Sequence, residues 1–274
     1  MMKKILKLAL KNRYFWLILP ILTFSACEEV IEIDLNSSTP KIVAEGLIEK
    51  DSVGWLKLSY TTNYFATENP TYINDATVVL TDKFGNSETF SNEGNGLYKG
   101  TVLKGVENNK YTIHVNGLST DLNAVSELNP PVIIQSLAFS KQEIQRPGQS
   151  FSNYALTINF SDDQTTKNFY LLRFSVNNTL ITNSYTCITD ENYAKNGNLE
   201  YTPWNLRLLA NDNIIVSVYS IDEGVYTYLN QINDISSGMG SWSTPYNAKS
   251  NFGSNALGYF KAWSYVSKSA IVQE

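Results

Sequence analysis

The chain contains few side chains that could serve as a catalytic nucleophile or base. It has one histidine, His114, and two cysteines, Cys27 and Cys187. A catalytic thiol needs a base beside it, and His114 lies in the other half of the chain from Cys187. We therefore interpret Cys187 as a packing or edge residue and His114 as an exposed residue on the polar face of a strand. So small a set of histidine and cysteine also argues against the usual zinc sites.

Two acidic pairs, Asp162-Asp163 and Asp190-Glu191, are the clearest candidates for binding a metal ion. Neither belongs to a run of alternate-position oxygen ligands around a central glycine, which is the pattern of a calcium loop. We interpret both pairs as solvated loop charge and predict no metal and no cofactor. Acid–base catalysis by two of the 26 acidic residues stays open, although no pattern selects a pair.

Aromatic side chains are concentrated near the C-terminus. The alternate aromatic residues of the final strand, Leu257 to Val266, are explained by core packing. Trp242, Tyr246 and Phe252 lie instead in a loop, residues 240–255, that is rich in Ser, Asn, Gly and Pro. Because Trp and Tyr suit both protein interfaces and sugar stacking, we predict that these three residues contact a partner or ligand.

The N-terminal segment has the three parts of a secretory signal. An apolar run at 14–22 is about half the length that a membrane-spanning helix needs, and Pro20 interrupts it. The segment ends in the small residues Ser25 and Ala26, followed by Cys27. The basic head that precedes the run consists of Lys3, Lys4, Lys7, Lys11 and Arg13.

This ending resembles the lipobox of bacterial lipoproteins, although Phe24 stands where leucine is usual. The resemblance implies that Cys27 becomes the lipidated first residue after residues 1–26 are removed. The alternative is a plain signal peptide with an incidental cysteine. Removal would take five basic and no acidic residues, so the formal net charge would fall from −5 to −10. Such a surface repels phosphate backbones, and we predict no nucleic-acid partner.

Acidic residues follow the predicted lipidation site directly. Glu28, Glu29, Glu32 and Asp34 lie within a segment, 27–38, that we interpret as a lipid tether. These acids resemble the surface-export signal of Bacteroidota lipoproteins and favour display on the cell exterior. The alternative is a solvated tether on a periplasm-facing protein.

Short alternating runs of Val, Ile, Thr, Tyr and Phe predict a mainly all-β protein. Such runs between residues 39 and 124 indicate an immunoglobulin-like or regulatory-like β-sandwich. Residues 125–131, which end in Pro130-Pro131, are the best candidate linker. A second β-rich sandwich domain is predicted at 132–274.

One short helix is predicted inside this second domain. Ser220 and Glu223 have the spacing of a capping box. An apolar stripe at i, i+3, i+4 and i+7 follows them, and the helix should end near residues 236–238. The stripe, which we interpret as packing against a sheet, consists of Val225, Tyr228, Leu229 and Ile232.

Several motifs in order resemble the uncharacterised lipoprotein family named domain of unknown function four-two-four-nine. They are residues 27–35, 42–46, 75–82, 94–98 and 256–260. The resemblance implies an origin in Bacteroidota, where members often lie beside TonB-dependent outer-membrane receptors. It supplies no catalytic residues.

Together, these observations predict a non-enzymatic surface lipoprotein of the outer membrane. It is held in the membrane by its lipid anchor and serves as an accessory to an outer-membrane β-barrel receptor of the TonB-dependent class in nutrient uptake. The alternative is an adhesin or glycan-binding surface lipoprotein that needs no transporter. An enzyme ranks behind both.

Overall fold

The computed structural model describes residues 39–63, 67–146, 149–181, 185–237 and 246–273. The predicted signal peptide (1–26), the tether (27–38) and Cys27 lie outside them. The first half of the described chain contributes the strands β1 (Ile42–Glu49), β2 (Val53–Tyr60), β3 (Thr77–Asp82), β4 (Ser87–Thr89), β5 (Ser91–Asn92), β6 (Leu97–Lys104), β7 (Asn109–Asn116) and β8 (Leu122–Leu128).

The second half is also mainly β and adds a helix. Its elements are β9 (Ile134–Arg146), β10 (Gln149–Ser161), β11 (Phe169–Val176), β12 (Thr179–Leu180), β13 (Thr186–Thr189), β14 (Ala194–Lys195), β15 (Asn198–Tyr201), β16 (Asn213–Ile221), α1 (Glu223–Ser236), β17 (Ala256–Leu257) and β18 (Phe260–Ile271). The all-β prediction is confirmed.

Alternation of apolar and polar residues sets the faces of these strands. In β7, Tyr111, Ile113 and Val115 are fully buried. His114 is half-buried on the opposite, polar face. Successive strand side chains point to opposite faces, and this is the arrangement that the sequence predicts.

The described strands form three sheets. The largest, which we call the shared sheet, has the order β12-β11-β16-β18-β1-β2-β6-β5, with β13 added to β11 and β17 to β1. The other two have the orders β4-β3-β7-β8 and β14-β15-β10-β9. Each smaller sheet packs on one end of the shared sheet, so the molecule consists of an N-terminal and a C-terminal sandwich.

Strand β18 belongs to both sandwiches. Its first part, from Phe260 to Trp263, runs parallel to β1. Its later part, from Ser264 to Ile271, runs antiparallel to β16. The turn before it requires Gly258, whose φ is +89° and whose backbone lies against the Ala44 carbonyl. This pairing joins the last strand of the described chain to its first.

The predicted domain boundary therefore needs correction. The proposed linker, residues 125–131, begins inside β8, so only residues after Leu128 connect the strands. Residues 39–274 also form one compact unit, because the C-terminal strand closes the N-terminal sheet. Periodicity missed this, since it reports which face a residue occupies and not which distant strand it pairs with.

Two hydrophobic cores nevertheless correspond to the two predicted domains. The N-terminal core contains Leu56, Leu80 and Tyr111, together with Phe260 from β18. The C-terminal core is built around Phe160 and its neighbours from β11 and β16. Apolar burial at roughly 25 cal/mol per Å² supplies the main stabilisation of both.

Helix α1 lies on the face of the shared sheet that is turned away from these cores. Val225 and Leu229 are buried there against Phe169 and Leu171, so the predicted packing stripe is confirmed for them. The predicted capping box is wrong. Asp222 is the N-cap, and its carboxylate accepts a hydrogen bond of 2.7 Å from the Val225 N–H.

Ser220 fails as a cap because strand β16 continues through it to Ile221. Its side chain is buried inside the molecule. Asp222 is a strong N-cap residue and lies at the first position after the strand. In the described part of the chain, no helix has the length and hydropathy of a membrane span.

Candidate functional site

The loop predicted to contact a partner is divided between surface and core. Trp242 lies outside the described residues. Tyr246 is 43% exposed, which leaves a contact role open. Phe252 is 4% exposed and packs in the N-terminal core, so the structure contradicts its prediction as a contact residue.

Asn251 explains why Phe252 turns inward. Its side-chain amide donates hydrogen bonds to the Val125 carbonyl at 3.0 Å and to the Phe260 carbonyl at 2.8 Å. It also accepts a 3.0 Å bond from the Phe260 N–H. The loop is thus attached to β8 and β18, and the adjacent phenyl ring fills the core. Loop composition gave no signal of this non-local attachment.

Cys187 packs as the sequence predicts, and His114 lies on the predicted polar face but is half-buried where exposure was expected. Cys187 is half-buried in β13 beneath helix α1. Burial raises the pKa of its thiol to about 12, so the thiolate that a nucleophile requires is disfavoured. His114 lies on strand β7, which belongs to a different sheet from β13.

The acidic pairs are only partly solvated. Asp163 and Glu191 are exposed, and Glu191 lies 2.9 Å from the Lys167 ammonium. Asp162 is instead only 9% exposed and accepts a 2.7 Å hydrogen bond from the Tyr170 hydroxyl. Burial raises the pKa of the Asp162 carboxyl above its ordinary value. The interpretation as solvated charge is therefore wrong for Asp162, whose place in a buried strand end the sequence did not reveal.

Asn168 holds this acidic region together. Its backbone N–H donates to the Asp190 carboxylate at 2.8 Å, and its side-chain amide donates to the Thr166 carbonyl at 2.9 Å. Among the described residues, no group of three or more His, Cys, Asp or Glu side chains is arranged to hold a metal ion. The polar groups here organise a loop beside a cavity.

That cavity is a cleft of about 540 Å³ at the junction of the two sandwiches, which we call the junction cleft. It opens beside Pro130-Pro131, the prolines that the sequence marks as a linker. Its polar and charged lining comes from both halves of the chain. The lining side chains of this kind include Asn108, Glu127, Asn129, Ser161, Asp163, Thr166, Lys167, Asn168, Tyr170, Ser220, Asp222 and Glu223.

A polar row crosses the shared sheet at the cleft. Tyr170, Ser220 and Ser264 are register partners on three neighbouring strands. The Ser264 hydroxyl donates to the Asn129 carbonyl at 2.7 Å. The Ser220 hydroxyl is buried and has no hydrogen-bond partner among the described residues. Sequence reasoning assigned Ser220 to a helix cap and so missed this row.

A second surface feature lies on the opposite side of the shared sheet. Tyr219, Trp263 and Tyr265 form what we call the outer aromatic face. The rings of Tyr219 and Tyr265 stack with centroids 4.9 Å apart, and Trp263 meets Tyr219 edge-on at 5.2 Å. Tyr265 is 44% exposed. Core packing is the wrong interpretation for Tyr265, whereas Trp263 and Tyr219 are partly buried and pack against the hydrophobic cluster beneath α1. Period-two alternation places Trp263 and Tyr265 opposite Phe260 and Ser264.

Comparison with known proteins identifies a family and no function. Among solved structures, the FN1–FN3 domains of chicken CNTN1 are similar over 87% of this chain and 68% of that chain, at 11% identity and a TM-score of 0.26. A search of curated proteins finds no match. The model of the domain of unknown function family DUF4249 matches residues 28–269. The chain therefore belongs to the DUF4249 family.

Proposed function

We propose that this protein is a non-enzymatic surface lipoprotein that acts as an accessory to a TonB-dependent receptor of the outer membrane. The anchor would be acyl chains on Cys27. Membership of DUF4249 supports the proposal, because the resemblance to this family implies a genomic neighbourhood with such receptors. The lipobox-like Ser25-Ala26-Cys27 and the acids that follow it support an anchored, outward-facing protein.

The outer aromatic face is the observation that carries the partner-binding part of the proposal. Aromatic residues are enriched at protein interfaces, where they bury a large area at a low entropic cost. Trp263 is held in place by a 3.0 Å hydrogen bond from its indole N–H to the Glu49 carboxylate. Tyr219 and Tyr265 hold each other by stacking. A rigid sheet therefore presents a preformed aromatic surface.

Co-purification from outer membranes tests this proposal. The wild-type lipoprotein should isolate with a receptor, and Tyr265→Glu should lose it because a charge enters the aromatic face. Phe84→Glu is the matched control, since Phe84 is 74% exposed on the β3–β4 turn. A receptor that is absent from wild-type preparations, or equally retained by Tyr265→Glu, would contradict the proposal.

The anchor is tested separately. Cys27→Ala should remove the protein from the outer-membrane fraction, because the acylated thiol would be missing. Fractionation that is unchanged by Cys27→Ala would reject the lipid anchor while leaving partner binding to be judged by the co-purification.

Glycan binding is a second candidate, and a feature of the same surface favours it. The hydroxyls of Ser217 and Ser267 lie 2.7 Å apart, two register positions from the Tyr219–Tyr265 stack on the same face of the sheet. Flat rings beside hydroxyls suit a sugar, which offers both an apolar face and hydroxyl donors. A glycan array on the purified protein separates the candidates. Binding that Tyr265→Ala abolishes would favour the adhesin-type function, and an empty array would count against it.

A further inference from the structure

The junction cleft combines features that the outer aromatic face does not have. Strands β11, β16 and β18 carry mainly apolar residues toward the cores. Their row Tyr170, Ser220 and Ser264 interrupts this apolar surface where the two cores meet. Polar side chains at such a position cost stability unless each finds a hydrogen-bond partner.

Two buried polar atoms in this region, the Ser220 hydroxyl and Oδ2 of Asp162, have no hydrogen-bond partner among the described residues. Ser220 is 3% exposed, lines the cleft and has an unpartnered hydroxyl. The Oδ2 atom of Asp162 also lacks a donor among the described residues, although Oδ1 accepts from Tyr170. The neighbours of Asp162 in sequence, Ser161 and Asp163, line the cleft. Most buried polar groups in proteins are satisfied, so the Ser220 hydroxyl, which lines the cleft, points to a bound group that forms a hydrogen bond with it.

The charged residues that line the cleft indicate whether the bound group is a cation or an anion. Four acidic residues line the cleft, Glu127, Asp163, Asp222 and Glu223, against the single cation Lys167. The Lys167 ammonium is already paired with Glu191 at 2.9 Å. Glu127 lies 3.9 Å from the Lys110 ammonium, which does not line the cleft, so acidic charge still exceeds basic charge in the lining. A cleft lined by one sign of charge attracts ligands of the opposite sign.

The size of the cleft limits the ligand. A volume of about 540 Å³ falls in the range of small-molecule sites. Pro130, Pro131 and Val132 supply an apolar wall beside the carboxylates. A chain of methylene groups that ends in a charged nitrogen matches both surfaces.

We propose that the junction cleft binds a small organic cation with amine donors, of the size of a basic dipeptide. Its nitrogen donors would meet the buried hydroxyl of Ser220 and the rim carboxylates of Glu127 and Glu223. The site is separate from the outer aromatic face, so it does not depend on the proposed receptor partner.

Titration calorimetry on the full-length protein in detergent tests the proposal. The probes are the dipeptides Lys-Lys and Glu-Glu and the neutral sugar maltose. Lys-Lys should bind at one site, with an affinity that falls as salt is added, and the other two probes should not bind. No saturable heat with Lys-Lys, or equal binding of Glu-Glu or maltose, would overturn the proposal.

Variants locate the site. Glu127→Gln combined with Glu223→Gln should weaken Lys-Lys binding about fivefold to tenfold, because two favourable charge interactions are removed. Glu143→Gln combined with Glu200→Gln is the matched control, since both residues are exposed and neither lines the cleft. Equal weakening in both double variants would place binding elsewhere.

Ser220→Ala separates a ligand role from a structural one. The variant removes an unsatisfied hydroxyl, so its thermal midpoint should be unchanged or higher. Its affinity for Lys-Lys should nevertheless fall about threefold to tenfold, since one hydrogen bond to the ligand is lost. A stable variant that binds Lys-Lys as tightly as the wild type would show that this hydroxyl does not contact the ligand and would overturn the proposed mode of binding.

Discussion

The two sandwiches each bury a carboxylate at a strand end, and they treat it in opposite ways. Asp82 ends β3 in the N-terminal sandwich and accepts hydrogen bonds from the backbone N–H groups of Phe84 and Asn86, both at 2.9 Å. The Asn86 side chain donates a further bond at 2.8 Å. Asp162 follows β10 in the C-terminal sandwich, and one of its oxygens has no donor among the described residues.

The pKa values reflect this difference. Burial alone would raise the pKa of Asp82, but the hydrogen bonds from Asn86 and Phe84 outweigh it and hold the pKa below its ordinary value. At Asp162, burial is the larger effect and the pKa is raised despite the bond from Tyr170. The satisfied carboxylate of Asp82 stabilises a turn, whereas the buried carboxylate of Asp162 keeps an oxygen without a donor among the described residues.

The largest expected effect tests whether the two sandwiches are energetically separate. Phe260→Ala removes a fully buried ring of the strand that both sandwiches share. We expect a loss of about 3–5 kcal/mol in the free energy of unfolding. Because unfolding of either sandwich deprives the other of β18, calorimetry should still show one transition.

Phe84→Ala is the control for this prediction. Phe84 is largely exposed, and its replacement should change the free energy of unfolding by less than about 0.5 kcal/mol. Two resolved transitions in Phe260→Ala would mean that the sandwiches unfold independently in spite of their common strand.

The second-largest expected change in the free energy of unfolding concerns Asp82, the satisfied carboxylate. Asp82→Asn places an amide opposite the donors of Phe84 and Asn86, and it should cost about 1–3 kcal/mol at neutral pH. The Asp82 pKa is lowered in the folded state, so its contribution is present above the ordinary pKa of 3.8 and is lost as the pH falls through the folded value. Urea unfolding at pH 7 and pH 3 should show the difference between wild type and variant shrinking in acid.

The opposite pH dependence of stability is expected for Asp162, the unsatisfied carboxylate. With a raised folded pKa, Asp162 makes the protein less stable as the pH rises from the ordinary value of 3.8 through the folded value. Asp162→Asn keeps an acceptor for Tyr170 and removes the buried charge. Its stability at pH 7 should equal that of the wild type or exceed it by up to about 1 kcal/mol. A loss above about 2 kcal/mol would show that the carboxylate is a structural element like Asp82.

The smallest expected effect concerns the surface loop. Tyr246→Ala should change the free energy of unfolding by less than about 0.5 kcal/mol, because the ring is well exposed. Thermal unfolding checks this, with Phe252→Ala as the contrasting variant from the same loop. Similar losses in both variants would mean that Tyr246 also belongs to the core.

The strand-rich character, the faces of individual strands and the position of the helix follow from the local sequence pattern. These are local properties, since alternation with period two and an apolar stripe with period 3.6 record which side of an element is buried. The buried series Tyr111, Ile113 and Val115 and the packed pair Val225 and Leu229 were read correctly for this reason. The ordered motifs also led to the family that residues 28–269 match.

The way in which these elements combine depends on contacts between distant parts of the chain. The pairing of β1 with β18 joins residues from opposite ends of the chain, and nothing in the local pattern of either strand specifies that partner. The same non-local packing buried Phe252 and Asp162 and placed Ser220 in a strand. Burial depends on what the rest of the chain places on top of a residue, and that information becomes available only when distant strands meet.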